Sequence, residues 1–216
     1  MLTIKKFTFN LFSQNTYIAY DQTKQCALID AGCHSKEECM ELSKYIEDNK
    51  LTVSNILLTH CHIDHVLGLN YLQEKYKLQG FMHRDELEQL NAVPLYAPMW
   101  GVHDFHIATS PTVFIQDYET VKVGDTTYQC ILAPGHSPAS ICFYSEQHKI
   151  LFGGDVLFRE SIGRTDLPGG NYAQLEHSIK TRIYSLPEDV TVYAGHMEET
   201  TIGYEKMNNP FVQGNR

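Results

Sequence analysis

The order of its segments predicts an α/β chain in which sheets are covered by helices. Apolar runs of strand length open the chain, give way to helical spacing, return as strands and close on a helix, with no break in composition. Its 216 residues, against about 150 for an ordinary domain, predict one domain over 1–216. Four buried strands also stop at a histidine or an aspartate, at the carboxyl ends where open α/β sheets bind ligands.

The opening segments LTIKKFTF, TYIAYD and CALIDA are rich in β-branched and aromatic residues and read as strands. Ser35 with Glu38 forms a capping box that starts a helix. Cys39, Leu42 and Ile46 share its inner face, and Asn49 ends it. The run NILL at 55–58 predicts a buried strand, and Val66, Leu69, Leu72 and Tyr76 mark a second helix. Residues 92–112 hold three prolines, a glycine and the only tryptophan without a clean period, which predicts a long structured loop. Strands return at 113–115, 119–123, 126–132, 140–145 and 149–153. Tyr172, Leu175, Ile179, Ile183 and Leu186 line one face of a last substantial helix from about 171 to 186.

Composition excludes several classes. Lys plus Arg is 17 against 26 for Asp plus Glu, a formal charge of −9 that repels a phosphate backbone and an anionic membrane. Nucleic acid and membrane are therefore not expected partners. A hydrophobic content of 43% excludes a disordered chain. No stretch approaches 18 uncharged apolar residues, and the two early lysines lead into FTFNLFSQNTY instead of a signal sequence. Six cysteines, at 26, 33, 39, 61, 130 and 142, form no Cys-x-x-Cys pair, which predicts reduced thiols and a cytoplasmic location. Histidine is the odd number, at 11.

Those histidines gather where apolar runs stop. ILLT ends at His60, CILAPG at His136, ILFGG at Asp155 and VTVYAG at His196. Beyond His60 the chain reads His60-Cys61-His62-Ile63-Asp64-His65. Residues two apart in extended chain point the same way, so His60 and His62 can share one metal while Asp64 and His65 open the next helix toward another. Cys61 points away from both and reads as a buried neutral thiol. Imidazole with carboxylate suits Zn²⁺, and also Mn²⁺ or Fe²⁺. Five His and two Asp exceed one tetrahedral site, and two such sites need one shared ligand. Asp155 is the natural bridge, because a carboxylate has two oxygens and imidazole one usable nitrogen.

Taken with His136, Asp155 and His196, the segment Thr59-His60-Cys61-His62-Ile63-Asp64-His65 resembles the metallo-β-lactamase superfamily, and so does the strand end Leu28-Ile29-Asp30-Ala31-Gly32. The resemblance implies a four-layer αββα sandwich with two divalent ions, Zn²⁺ first. It puts metal 1 on His60, His62 and His136, metal 2 on Asp64, His65 and His196, and the bridge on Asp155. Asp64 and Asp155 are the candidate catalytic carboxylates. The stretch Ser161–Gly170, with Gly195-His196, Thr200–Lys206 and Asn209-Pro210, is similar to short bacterial hydrolases of the glyoxalase II (hydroxyacylglutathione hydrolase) type. Full-length glyoxalase II carries a C-terminal glutathione-binding helical domain, which is not expected here, and Arg164 and Asp166 stand where those enzymes place a Lys and a Tyr. True β-lactamases carry other residues where Asp155 stands.

The expected activity is thioester hydrolysis of a small molecule by a metal-bridging hydroxide, whose pKa two dications lower toward about 7. A thiol of pKa about 8.5 leaves without a strong general acid. Arg164 is a candidate for a substrate carboxylate, against a structural pair with Asp166. Asp30 is a candidate to orient a ligand histidine. His103 and His106, with Tyr96, Trp100 and Phe105, are either a lid or a self-packed aromatic loop. The alternative activity is that of a mononuclear iron persulfide dioxygenase, which has the same fold and a Gly-Arg-Thr-Asp stretch like 163–166. A metal-stabilised binding protein without catalysis is the third reading.

Overall fold

The computed structural model describes residues 1–106 and 113–213. Its first sheet runs in spatial order β1 (Thr3–Phe9), β2 (Gln14–Tyr20), β3 (Gln25–Ile29), β4 (Thr52–Leu57), β5 (Gly80–His83) and β6 (Val113–Ile115). The first three strands are antiparallel and the last four parallel, with β3 shared. Helices α1 (Lys36–Asp48), α2 (Ile63–Val66), α3 (Leu69–Tyr76) and α4 (Leu87–Tyr96) lie between its strands in sequence.

A second sheet holds β7 (Thr120–Val123), β8 (Thr126–Leu132), β9 (Ile141–Ser145) and β10 (Ile150–Gly154). A small ribbon of β11 (Leu157–Phe158) and β12 (Ser161–Ile162) and then helix α5 (Tyr172–Ser178) follow. Strands β13 (Thr191–Ala194) and β14 (Thr200–Thr201) complete that sheet, in the order β14-β13-β10-β9-β8-β7, and α6 (Ile202–Asn208) ends the regular structure.

Four layers follow from how the strands divide their side chains. Tyr17, Ala19, Ala27 and Ile29 pack with Cys130, Phe143, Ile150 and Phe152 in a core between the sheets. Their chain neighbours Ile18, Tyr20, Cys26 and Leu28 face the opposite way, onto Leu42 and Ile46 of α1 and Leu72 of α3. On the far sheet, Ile131, Cys142 and Leu151 turn outward to Leu175, Ile179, Ile183 and Ile202. Both faces of each sheet are covered, so the central strands read as continuous apolar runs. The architecture is the αββα sandwich.

Several expectations need correction. The segment 92–112 is not one long loop. Helix α4 reaches Tyr96 with Pro94 in its last turn, and a 3₁₀ turn covers Ala97–Trp100 with Pro98 near its start. Pro98 falls in a first turn, where no helical N–H bond is needed, whereas Pro94 has no N–H to give the Leu90 carbonyl and the α-helix ends two residues later. Residues 107–112 lie outside the described residues. The helix expected through Val66 and Leu69 breaks at Gly68, whose added Cβ would meet the Cys33 oxygen and sulfur at 2.4 Å. The helix expected to 186 changes to a π turn over Ile179–Ile183. That turn keeps residues four apart, Leu175, Ile179 and Ile183, on one buried face. Tyr172, expected on that face, is exposed.

Candidate metal centre

Strands β3 and β4 run parallel in one sheet, and β8, β10 and β13 share a direction in the other. Their carboxyl ends bring Asp30, His60, His136, Asp155 and His196 to one edge, where Ile141 N–H donates across the sheets to Thr59 O at 2.8 Å. His62 caps the short helix α2, whose first turn carries Asp64 and His65. All seven candidate ligands come together, six of them buried and His196 half-buried.

They form two halves of different character. In the histidine half, His60 Nε2 lies 3.1 Å from His62 Nδ1, His62 Nδ1 lies 2.8 Å from His136 Nε2, and His136 Nε2 lies 3.1 Å from His60 Nε2. A neutral imidazole nitrogen is either a donor or an acceptor, so a ring of three cannot satisfy all its edges by hydrogen bonding. His136 is fixed as an acceptor here, because its Nδ1 donates to Arg164 O at 2.8 Å and leaves Nε2 bare. A cation at the centre resolves the conflict, and tetrahedral Zn–N bonds of about 2.0 Å set nitrogens about 3.3 Å apart.

The acidic half holds Asp64, His65 and His196, with Asp155 between the halves. Its Oδ2 lies 3.5 Å from His136 Nε2 and 3.4 Å from His196 Nε2, and its Oδ1 lies 3.3 Å from His65 Nε2. Asp64 Oδ2 is 3.1 Å from His196 Nε2 and 3.4 Å from His65 Nε2. His65 Nε2 and Asp155 Oδ1 are both buried without a hydrogen-bond partner. Two orphaned atoms that face each other across such a gap fit a metal ion between them.

Protonation divides the same way. Burial and neighbouring imidazoles push His60 well below the usual histidine range and His62 down to about 3; burial also lowers His136. In the acidic half, Asp64, Asp155 and Asp30 overcome burial and hold His65 well above its ordinary value, while bonds to Asp155 and Asp64 lift His196 to about 10. Asp155 is buried, yet His65 and His196 keep it well below the usual carboxylate range.

The expected role of Asp30 is visible. His65 Nδ1 meets its Oδ2 at 2.8 Å, and Thr59 donates its N–H at 2.7 Å and its hydroxyl at 2.9 Å. The Asp30 backbone sits at φ 58°, a conformation such bonds must hold. Cys61 is buried against Met82, its thiol raised well above the ordinary range by burial. Arg164 forms a bidentate pair with Asp166, at 2.7 Å for each bond, and both side chains are exposed. Its carbonyl, not its guanidinium, reaches the ligand cluster. Gly163 beside it is forced, because a Cβ would stand 1.9 Å from Asp155 O.

Among the loop aromatics, Tyr96 and Phe105 pack on the outer core and Trp100 stacks edge-on against Phe12 at 5.3 Å. His106 Nδ1 lies near Asp104 O and His34 Nε2 lies 3.9 Å from Asp104, so these imidazoles stay outside the ligand cluster. Sequence reasoning missed three contributors. Thr59 locks Asp30, Asn10 donates to the carbonyls of Gly32 and Asp64 at 2.9 and 3.0 Å, and the wholly buried Glu86 accepts the Cys61 N–H between His60 and His62. Only a contact map reveals them, for each lies far along the chain from what it holds.

The sequence profile of the metallo-beta-lactamase superfamily matches residues 10–196. The chain belongs to that superfamily. Hydroxyacylglutathione hydrolase GloC of Haemophilus influenzae is 34% identical over 213 residues, 98% of each chain. The crystal structure of BLEG-1 B3 metallo-beta-lactamase superposes with a TM-score of 0.88 at 31% identity, covering 98% of this chain and 100% of that one. TTHA1623 in a di-iron-bound form gives 0.85 at 32%, covering 96% and 100%.

Proposed function

We propose that this metal-dependent hydrolase cleaves small-molecule thioesters at a dinuclear centre. His60, His62 and His136 would hold one ion, Asp64, His65 and His196 the other, and Asp155 both. The observation that carries the reading is the imidazole triangle joined through Asp155 to a second set of donors. Bound there, two divalent ions supply a hydroxide at neutral pH and an electrophilic pull on a carbonyl oxygen. The chain's own groups do the orienting. Arg164 O keeps the His136 lone pair turned inward, and Asp30 does the same for His65.

Thioesters suit the site because a thiolate leaves without a strong general acid. Likeness to GloC supports the same class. Zinc is the proposed metal, and the di-iron form of TTHA1623 makes iron the competitor. Six free, buried cysteines fit a reducing, cytoplasmic setting, and no described helix is long and apolar enough to cross a membrane.

Metal analysis of protein purified without added metal, followed by assays on a glutathione thioester, a β-lactam and a persulfide with oxygen uptake, tests the proposal. Two ions per chain with thioester turnover is the expected result. One iron with oxygen consumption would replace it by the dioxygenase reading, and faster β-lactam turnover by the activity named for BLEG-1. Metal without any turnover would leave the binding-protein reading.

A further inference from the structure

Glu86 ends a 3₁₀ turn after β5, and its side chain is fully buried. Its Oε2 accepts the Cys61 N–H at 2.9 Å, while Oε1 accepts the Ser137 hydroxyl at 2.7 Å and the Ala139 N–H at 2.8 Å. Cys61 is the residue between His60 and His62, and Ser137 directly follows His136. One carboxylate therefore ties the loop after β4 to the loop after β8, across the two sheets, beside all three members of the imidazole triangle. It takes no bond from Asp64, His65, Asp155 or His196.

All three donors are uncharged, and a carboxylate is the one side chain that offers them only lone pairs. Charge-assisted bonds of this kind are stronger and shorter than neutral ones. An amide in the same place would turn an NH₂ toward at least one of the donors.

We propose that Glu86 is the positioning residue of the histidine half, setting the distance between the His60/His62 loop and His136 and so the metal affinity of that half alone. This rests on the ligand assignment proposed above. Asp30 is its counterpart in the acidic half, gripping His65 directly.

The test is zinc titration against a competing chromophoric chelator, on wild type, Glu86→Gln, Glu86→Ala and Ser137→Ala. It is repeated with each in a His196→Ala background, where only the histidine half is intact. Outer partners of metal ligands are worth about 10- to 100-fold in affinity, and an indirect grip through the loops belongs at the lower end. Glu86→Gln should weaken zinc about 10-fold in both backgrounds, and Ser137→Ala, which removes one donor of three, by less. Should Glu86→Ala not fold, these two variants still decide the matter.

A Glu86→Gln protein that melts earlier without metal, but binds zinc in the His196→Ala background as tightly as its parent, overturns the proposal. So does a loss seen only when His196 is present. A His136→Ala control separates the two layers of the argument. If it leaves every zinc affinity unchanged, the ligand assignment itself has failed, whatever Glu86 does.

Discussion

The histidine half and the acidic half of the centre sit side by side, share Asp155 and prefer opposite states of protonation. In the first, three imidazoles are crowded into a buried triangle and all three are pushed toward the neutral form. In the second, His65 and His196 face carboxylates and hold their protons past neutral pH. One half is thus ready for a cation, and the other is occupied by protons that a cation has to displace. The same ligand types behave differently because of what lies beside them, and position along the sequence does not reveal it.

The shared carboxylate is where the comparison breaks most completely. Asp155→Ala removes a donor within 3.5 Å of His136, His65 and His196 at once. Turnover and metal content should both fall, turnover by more than the roughly 100-fold of an outer partner. Metal analysis and steady-state rates check this together. Full activity with two ions per chain would rule out the shared role.

Proton counting comes next. Metal ligands must be deprotonated, so filling the acidic half of the metal-free protein should release up to two protons, and filling the histidine half almost none. Calorimetry in buffers of different ionisation enthalpy reads the number directly. The sign follows from the raised values of His196 and His65: as pH falls below about 10 the His196 proton must be displaced and the acidic half weakens by about 10-fold per pH unit, more steeply where the His65 proton, also raised, must leave too. The histidine half should hold its affinity as pH falls until the imidazoles begin to charge, and His62 resists to about pH 3. Equal proton release from both halves would erase the distinction.

Asp30→Asn strikes the acidic half first. The amide keeps the shape but turns an NH₂ toward the donors Thr59 N–H, Thr59 Oγ1 and His65 Nδ1. Metal affinity there should fall about 10- to 100-fold, and by less in the histidine half, which Asp30 reaches only through Thr59 Oγ1, 3.1 Å from His60 Nδ1. The variant should also melt earlier, since a buried unsatisfied group costs about 1–3 kcal/mol. Thermal unfolding with and without metal separates the two effects.

The layers and the gathering of the seven candidate ligands were legible for a shared reason. Continuous apolar runs such as Tyr17–Tyr20, Cys26–Ile29 and Ile150–Phe152 are a short-range signal, and His60, His136, Asp155 and His196 each stop such a run while His62, Asp64 and His65 follow His60 within five residues. What was illegible depends on distance in space. Strand β5 is only Gly80–His83, too short for a period, and it is the strand that delivers Glu86. Glu86 itself reads as one more polar residue in HRDELEQL, yet its partners lie 25 to 53 residues away along the chain. The prolines at 94 and 98 look like breakers of the whole segment, but Pro98 sits in the first turn of a 3₁₀ helix, which accepts it, and Pro94 comes only two residues before α4 ends.

The smallest effect is expected at Arg164, and it locates where the comparison stops mattering. Its carbonyl serves the histidine half through His136, while its guanidinium is spent on Asp166 in an exposed pair. Arg164→Ala keeps the carbonyl, so zinc affinity should stay within about twofold, and kcat should change by less than about fivefold, the scale of an exposed ion pair. A carboxylate-bearing substrate held by Arg164 would show instead in KM, and in opposite directions for two variants. Arg164→Ala would raise KM, whereas Asp166→Ala, by freeing the guanidinium, would lower it. Measured on one anionic and one neutral thioester, unchanged KM in both variants would assign the pair to the loop's own structure, and a split confined to the anionic substrate would assign Arg164 to recognition.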